Sequence, residues 1–204
     1  MVMLVAEPHL EEQLRRERQE SGADRFDEVW EGVYHVSPIP NIEHQLIVGR
    51  LYVILQSVLD AGGLGIAFPG VNVSDREQDW THNYRGPDIA VVLKGNPAKN
   101  CGTHWCGGPD LLVEIVSPHD HSRDKLAFYS QIGVSELLIV DRDPWALELY
   151  RLEAGQLKSV GRSVPGAPAE LQSQVLPLNF RLVAGDARPI IEVAHQDGRQ
   201  SWRI

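Results

Sequence analysis

Two acidic residues beside apolar strand sequences are the first candidates for chemistry. Asp88 precedes the run Ile89-Ala-Val-Val, and Glu114 lies inside Leu111-Leu-Val-Glu-Ile-Val, 26 positions after Asp88. An apolar run of this kind is typical of a strand buried on both faces, where an unpaired carboxylate is costly. If the two strands are neighbours, the acids meet at one end of a sheet. Carboxylate oxygens there suit a hard divalent cation such as Mg²⁺ or Mn²⁺.

The chemistry of such an ion indicates what the pair of acids would do. A bound divalent ion polarises a phosphoryl oxygen, lowers the pKa of a bound water and stabilises charge in the transition state. Lys125 follows Glu114 near the start of a predicted helix, from which a cation would orient the water or neutralise the phosphate. Simpler roles stand beside these: Asp88 as a turn residue after Gly86-Pro87, and Lys125 as a solvated residue on a helix face.

The elements that position these residues are predicted from hydrophobic periodicity. Asn41 suits the N-cap of a helix that carries an apolar stripe and ends at Gly62 and Gly63. A second helix is predicted from Ser122, as its cap, through Ile132. Strands are predicted around Gly32 and at 66–68, 71–73, 89–93, 111–116, 137–141, 146–151 and 180–183, with a loop at 161–168. Residues 7–25 mix both charge signs and indicate an exposed helix or loose arm.

Bulk composition limits the class of protein. A chain of 204 residues suits a single hydrophobic core. We expect a cytoplasmic protein without a membrane partner, because no apolar run reaches 18 residues, no secretory signal is apparent and only two cysteines are present. The net charge of −9 argues against constitutive coating of DNA, but a bound metal reverses the sign of an acidic site, so a nuclease is compatible with this charge.

Three segments together resemble a known family. They are Gly86-Pro-Asp-Ile-Ala-Val-Val, Pro109-Asp-Leu-Leu-Val-Glu-Ile-Val-Ser-Pro and Asp124-Lys-Leu-Ala-Phe-Tyr-Ser-Gln-Ile-Gly-Val-Ser-Glu-Leu-Leu-Ile-Val-Asp. In this order they are similar to motifs of the Uma2 family, also called DUF820, which is assigned to the PD-(D/E)xK restriction-endonuclease-like superfamily. The resemblance runs from about Glu31 to Arg151. It implies an α/β fold with a restriction-endonuclease-like mixed β-sheet flanked by helices and additional β-hairpins.

The resemblance also implies the metal ligands. They are the carboxylates of Asp88 and Glu114, with the backbone carbonyl of Ile115 as a further ligand. Most of the superfamily carries a lysine two places after the second acid, but that place is Val116 here. Lys125 matches the lysine that some related nucleases carry on the following helix.

Two more residues match family positions and are expected to approach the site. Glu31 matches an acidic position in an early hairpin, and His44 matches a histidine that opens the first long helix. The segment between Ser117 and Lys125 looks about one helical turn shorter than the family form. Arg123 or Asp124 is therefore the alternative to Lys125 as the residue that points inward.

Two groups of metal-binding residue types favour simpler explanations. His119 and His121 lie in a short polar loop, where paired histidines are usually exposed. Cys101, His104 and Cys106 lie within six positions, but zinc sites usually combine a close cysteine pair with a distant second pair. We predict that both groups are surface loops without a metal.

The sequence therefore predicts an N-terminal arm or helix at 1–25 and one restriction-endonuclease-like domain at 26–204. The predicted function is a Mg²⁺- or Mn²⁺-dependent endonuclease that hydrolyses phosphodiester bonds of DNA. Two alternatives stay open: a catalytically inactive nuclease-fold module for binding or assembly, and a metal-dependent hydrolase with another substrate. A homodimer is predicted, because a small nuclease that cuts both strands needs two active sites.

Overall fold

The computed structural model describes residues 3–4, 8–117 and 121–204. In these ranges the helices are α1 (Pro8–Ser21), α2 (Ile42–Gly62) and α3 (Leu126–Gln131), with 3-10 helices at Ala23–Phe26, Trp80–His82 and Ser122–Lys125. The first nine strands are β1 (Met3–Leu4), β2 (Glu28–Trp30), β3 (Val33–Val36), β4 (Gly65–Pro69), β5 (Val73–Ser74), β6 (Tyr84–Arg85), β7 (Ile89–Leu93), β8 (Lys99–Asn100) and β9 (Trp105–Cys106). The other strands are β10 (Leu111–Ile115), β11 (Glu136–Arg142), β12 (Trp145–Glu153), β13 (Gln156–Ser163), β14 (Leu171–Gln172), β15 (Leu178–Val183), β16 (Ile190–His195) and β17 (Ser201–Arg203).

A six-stranded mixed sheet forms the centre of the fold, in the order β13-β12-β11-β10-β7-β4. β10 and β11 run parallel, and the other neighbouring pairs are antiparallel. All of β10 is buried, as its apolar sequence predicts for a strand covered on both faces. The fold is thus the predicted mixed α/β arrangement.

The pairing of β7 with β10 brings the two candidate acids together. Val113 pairs with Ile89, so the next step of this antiparallel register places Asp88 opposite Glu114. Residues that lie opposite each other on neighbouring strands are close enough for their side chains to interact. The start of β7 and the end of β10 therefore meet at one end of the sheet.

Alternation along β10 divides its residues between two apolar layers. Leu111, Val113 and Ile115 face a large core formed with α2 and the C-terminal strands. Leu112 belongs to a second core with Phe128 and Tyr129 of α3. Because successive strand residues point to opposite faces, Glu114 is directed to the α3 side.

Helix α2 matches its predicted limits. The Asn41 side chain accepts the His44 N–H at 2.9 Å, which satisfies one free donor of the first turn. Gly63 ends the helix in the left-handed region, with φ of 58°, where glycine is favoured. No helix within the described ranges has both the length and the apolar character needed to span a membrane.

Two smaller sheets surround the central one. The first has the order β1-β3-β2-β6-β5-β9-β8, and its β2–β3 hairpin contacts β6 through Val29 and Tyr84. The second is the C-terminal sheet β14-β15-β16-β17, whose apolar side chains join the α2 core. The N-terminal helix α1 is attached through Arg18, which donates to Asp27 at 2.6 Å and to the Ser37 carbonyl at 3.2 Å.

The structure corrects three sequence predictions. Ser122 does not cap a long helix. It is the buried first residue of a 3-10 helix, and α3 begins only at Leu126. The predicted loop at 161–168 overlaps β13, which continues to Ser163. The tail forms a four-stranded sheet instead of one strand. Of the two histidines predicted to be exposed, His119 lies outside the described residues and His121 is exposed.

Candidate active site

The side chain of Asp88 forms a hydrogen bond with the main chain of the neighbouring strand β10. Its Oδ2 accepts the Ile115 N–H at 2.7 Å, and its Oδ1 lies 3.3 Å from Nε2 of His44. The carboxylate stays partly exposed, with 18% of the side chain accessible. It is therefore oriented by the sheet and by α2 while one side remains open to a ligand.

Glu114 is a buried acid with several partners. Nζ of Lys125 donates to its Oε1 at 3.0 Å and its Oε2 at 3.2 Å, and the Tyr129 hydroxyl also donates to Oε1. Burial raises the pKa of Glu114 to about 8; Lys125 opposes this rise, and the neighbouring Asp88 and Glu28 carboxylates add to it. The site thus holds more negative charge than its single lysine neutralises.

Of the three candidates between Ser117 and α3, Lys125 points inward. Its ammonium lies 2.7 Å from Oε1 of Glu28 as well as contacting Glu114. Arg123 instead forms ion pairs with Asp141 and Glu148. The Asp124 carboxylate is exposed and accepts a hydrogen bond from the ring of His121. Lys125 is the last residue of the 3-10 helix before α3, and its side chain extends from there to Glu114 on β10.

Glu28 is a member of this cluster that sequence reasoning missed. Its Oε1 accepts from Lys125 and from the Gly86 N–H at 2.8 Å, and its Oε2 accepts the Trp30 indole N–H at 2.6 Å. Its position in an alternating hairpin strand resembles that of an ordinary surface acid. The one sequence signal is its spacing of two from Trp30, which places both side chains on the same face.

Glu31 has a different environment from the one expected. It lies at the β2–β3 turn with φ of 49°, and its carboxylate accepts from Nδ2 of Asn83 at 2.8 Å. Among the described residues it makes no hydrogen bond or ion pair with Asp88, Glu114 or Lys125. The acid of the early hairpin that reaches the lysine is Glu28.

His44 and Ile115 both contact Asp88. His44 is buried in the first turn of α2, and its Nδ1 has no hydrogen-bond partner among the described residues. In an extended strand the N–H and C=O of one residue face the same neighbour. Since the Ile115 N–H bonds to Asp88, its carbonyl is directed to the same side of the strand.

The protein ligands that converge are few. Across residues 3–4, 8–117 and 121–204, no group of three or more His, Cys, Asp or Glu side chains has the arrangement of a metal site. Mg²⁺ requires less than this, because it is usually held by one or two carboxylates together with water and substrate phosphate. Asp88 and Glu114 are two carboxylates on neighbouring strands, which is the number of protein carboxylates that Mg²⁺ usually takes.

The Cys101 to Cys106 segment does not form a metal site in the described structure. It lies in the short β8–β9 hairpin, where both ring nitrogens of His104 are occupied. Nε2 is 2.9 Å from the Arg76 carbonyl, and Nδ1 is 3.0 Å from the Thr103 hydroxyl. The ring also stacks on Trp80, so this histidine serves the packing of the hairpin.

Comparisons with known proteins agree with this fold. The family model Uma2, described as "Putative restriction endonuclease", matches residues 10–185. A solved structure described as "a putative nuclease belonging to DUF820", from Anabaena variabilis ATCC 29413, has a TM-score of 0.55 and 18% sequence identity, covering 72% of this chain and 81% of that chain. At this identity the likeness shows the fold alone. A search of curated proteins gives no match. Because the family model spans most of its length, the chain belongs to the Uma2 family of restriction-endonuclease-like proteins.

Proposed function

We propose that the protein is a Mg²⁺- or Mn²⁺-dependent endonuclease that hydrolyses phosphodiester bonds of DNA. The observation that carries this proposal is the meeting of Asp88 and Glu114 at one end of neighbouring strands, with Nζ of Lys125 3.0 Å from Glu114. Two acids and one lysine that lie close together provide the charges that metal-assisted phosphodiester hydrolysis needs.

The electrostatics of the cluster suit a divalent cation. The raised pKa of Glu114 results from burial with insufficient positive charge nearby. Asp88, Glu114 and the Ile115 carbonyl would hold the ion. When bound, it would polarise the phosphoryl oxygen and lower the pKa of a bound water. Such an ion favours the charged form of Glu114 and thereby offsets the cost of its burial.

Lys125 is the residue proposed to act on the substrate. Its ammonium has three donors, and a flexible side chain allows it to exchange a carboxylate partner for a water or a phosphoryl oxygen. Glu28 keeps the ammonium near Glu114 during such an exchange, since Glu28 is itself held by Gly86 and Trp30. Glu28 is thus a positioning residue for Lys125.

His44 is proposed to position Asp88. A group that hydrogen-bonds to a ligating carboxylate fixes its orientation, and loss of such a partner typically weakens metal binding. The Nε2 of His44 lies 3.3 Å from Asp88, on the side of the acid away from the Ile115 amide. Asp88 is therefore held from two directions, by α2 and by β10.

One observation favours the alternative of a catalytically inactive module. Lys125 already contacts both Glu28 and Glu114, so the two acids have a cationic partner within the protein itself. A protein that keeps these ion pairs for structural reasons alone would use the fold for binding or assembly. Titration with Mn²⁺ separates the two functions, because only the nuclease requires a metal.

The test is cleavage of supercoiled plasmid DNA with Mg²⁺ or Mn²⁺, together with isothermal titration of Mn²⁺. Asp88→Ala and Glu114→Ala should each abolish cleavage and weaken Mn²⁺ binding. Asp110→Ala is the matched control for Asp88, because Asp110 also accepts a backbone N–H, that of Leu93 at 2.7 Å, at the other end of β7 and β10. Cleavage that persists in both site variants rejects this site, and a wild type that neither binds Mn²⁺ nor cuts favours the inactive module.

Three further expectations accompany this proposal. The enzyme is proposed to act in the cytoplasm, as a homodimer. Residues 26–204 are proposed to form one domain, preceded by the arm that contains α1. Sedimentation velocity tests the dimer, because a monomer at all working concentrations contradicts it. Limited proteolysis tests the domain, because the protected fragment should begin near residue 26.

A further inference from the structure

A cavity of about 180 Å³ lies directly beside Asp88. Four separate chain segments form its walls: the 3-10 helix before β2, the first turns of α2, the turn after β4 and the link that leads into β7. None of the proposed roles of the metal, Lys125 or His44 uses this space. Because Asp88 is a proposed metal ligand, a group bound in this cavity would adjoin the reacting part of a substrate.

Part of the cavity lining consists of apolar side chains. Phe26, Val48, Pro69 and Pro87 contribute them. Apolar side chains suit a planar ring, because they can contact its face without competing for hydrogen bonds. A sugar or a free phosphate would leave these apolar surfaces without a matching partner.

Two amides and one cation supply polar groups. The side-chain amides of Gln45 and Asn72 line the cavity, and neither makes a hydrogen bond within the described part of the chain. Each amide offers both a donor and an acceptor, which is what the edge of a nucleobase requires. Arg25 is exposed at the same cavity and packs 5.7 Å from the Phe26 ring, where its guanidinium suits a phosphate.

The second acid of the lining does not repel an anion strongly. Asp27 accepts from Arg18 at 2.6 Å, from the Ser37 N–H at 2.7 Å and from the Tyr34 hydroxyl. The Arg18 guanidinium neutralises its charge, and its oxygens are occupied. Asp88 is then the acid that a substrate at this cavity meets, and the proposed metal would supply positive charge next to it.

We propose that this cavity binds the base of an unpaired DNA nucleotide adjoining the bond that is cut, with the phosphate of that nucleotide on Arg25. The inference rests on the proposed nuclease function and adds its substrate class. A base stacked and paired in a duplex cannot enter a recess between four chain segments. It must be single-stranded already or be unstacked at a cost of a few kcal/mol. The preferred substrates are therefore single strands, flaps or distorted sites.

The first test measures nucleotide binding without metal or catalysis. Deoxynucleoside 5′-monophosphates are titrated into the full chain, and backbone amide shifts at Gly70, Asn72 and Gly86 are followed by NMR. Saturable shifts are expected in wild type. Arg25→Ala should weaken binding about tenfold, as loss of a charge-assisted hydrogen bond does. Gln45→Trp, which fills the exposed mouth of the cavity, should abolish binding without disturbing the core.

The controls separate this cavity from general effects of charge and helix position. Arg50→Ala removes an exposed arginine from the next turns of α2, outside the cavity, and should leave binding unchanged. Shifts that are absent in wild type overturn the inference. So do shifts that survive in Gln45→Trp.

The second test compares cleavage of one sequence as a single strand, a flap and a perfect duplex. The unpaired forms should be cut at least about tenfold faster, because the unstacking cost is avoided. Equal rates on all forms, or no nucleotide binding in a protein that cuts plasmid, overturn the inference and leave the nuclease function standing. Nucleotide binding in a protein that cuts no DNA overturns the proposed nuclease, and with it the assignment of the base to a substrate.

Discussion

Glu28 and Lys125 are 97 positions apart in the chain, yet the lysine ammonium lies 2.7 Å from a carboxylate oxygen of Glu28. The same ammonium contacts Glu114, so one buried cation is shared between an outer hairpin and the central sheet. Both acids are about nineteen-twentieths buried, with exposures of 5% and 4%. The stability and the proposed chemistry of this region therefore depend on the same three side chains.

Loss of the shared cation should destabilise the metal-free protein. At pH 9, above the pKa of about 8 for Glu114, Lys125→Met leaves Glu28 and Glu114 buried without the cation they share, and such uncompensated charge typically costs about 3–5 kcal/mol. Urea denaturation measures the change in the free energy of unfolding. The double variant Lys125→Met, Glu114→Gln should recover part of the loss, because one buried charge is also removed. A single variant as stable as wild type contradicts this prediction.

Glu28 and Glu31 should differ sharply in their effect on cleavage. Glu28→Gln removes the charge that holds Lys125, and a displaced catalytic group commonly costs about a hundredfold in rate. Mn²⁺ affinity should change little, because Glu28 is not a proposed ligand. Single-turnover cleavage and Mn²⁺ titration are the measurements. Glu31→Gln is the matched control and should cut like wild type, since its carboxylate contacts Asn83.

His44 should affect metal binding more than stability. His44→Phe keeps a ring in the first turn of α2 but removes the Nε2 contact with Asp88. A partner that orients a ligating carboxylate is typically worth 10- to 100-fold in metal affinity, so Mn²⁺ binding should weaken by about that factor. Calorimetric titration measures it. Unchanged affinity would show that the Ile115 amide alone orients Asp88.

His35 should make the protein less stable in acid. Burial lowers its pKa to about 4 from the ordinary value of 6.5, with Glu28 opposing this effect and Arg85 adding to it. Between these values the unfolded chain binds a proton that the folded protein does not, so stability falls as pH drops from about 6.5 towards 4. His35→Phe, which keeps the stacking on Trp30, should flatten this part of the pH profile.

Glu114 should make the protein less stable as the pH rises, which is the opposite of the effect of His35. Its raised pKa means that the folded protein binds a proton more readily than the unfolded chain between about 4.5 and 8. This contribution is fully present below pH 4.5 and is lost as the pH rises through 8. The urea midpoint of Glu114→Gln should therefore not show the decrease that this group causes in wild type between pH 4.5 and 8. A variant profile parallel to wild type would contradict the assignment.

Much of the site framework follows from the sequence because it depends on local periodicity. The apolar run around Glu114 and the run after Asp88 predict two buried strands, and the structure pairs them. The stripe, N-cap and terminal glycines of α2 likewise fix its limits. These features arise from residues within a few positions of one another, which is the range over which sequence patterns are informative.

The missed features depend on long-range contacts. Glu28 joins the site because its strand lies beside β6, and the Val29 to Tyr84 pairing responsible has no local sequence signal. Glu31, three positions later, occupies the turn and bonds to Asn83. Strand β13 extends through Ser163 because it pairs with β12, which overrides the loop character of its glycine and serine residues. The C-terminal sheet is formed in the same way, by partners distant along the chain.

The bond between Asp88 and the Ile115 main chain has a broader consequence. A one-residue slip between β7 and β10 would turn the alternating side chains over and separate this acid from its amide at the same moment. The correct register of β7 and β10 and the correct orientation of Asp88 therefore form together. A half-formed or misaligned intermediate should be unable to bind the proposed metal ion, which would keep the proposed nuclease activity silent until folding is complete.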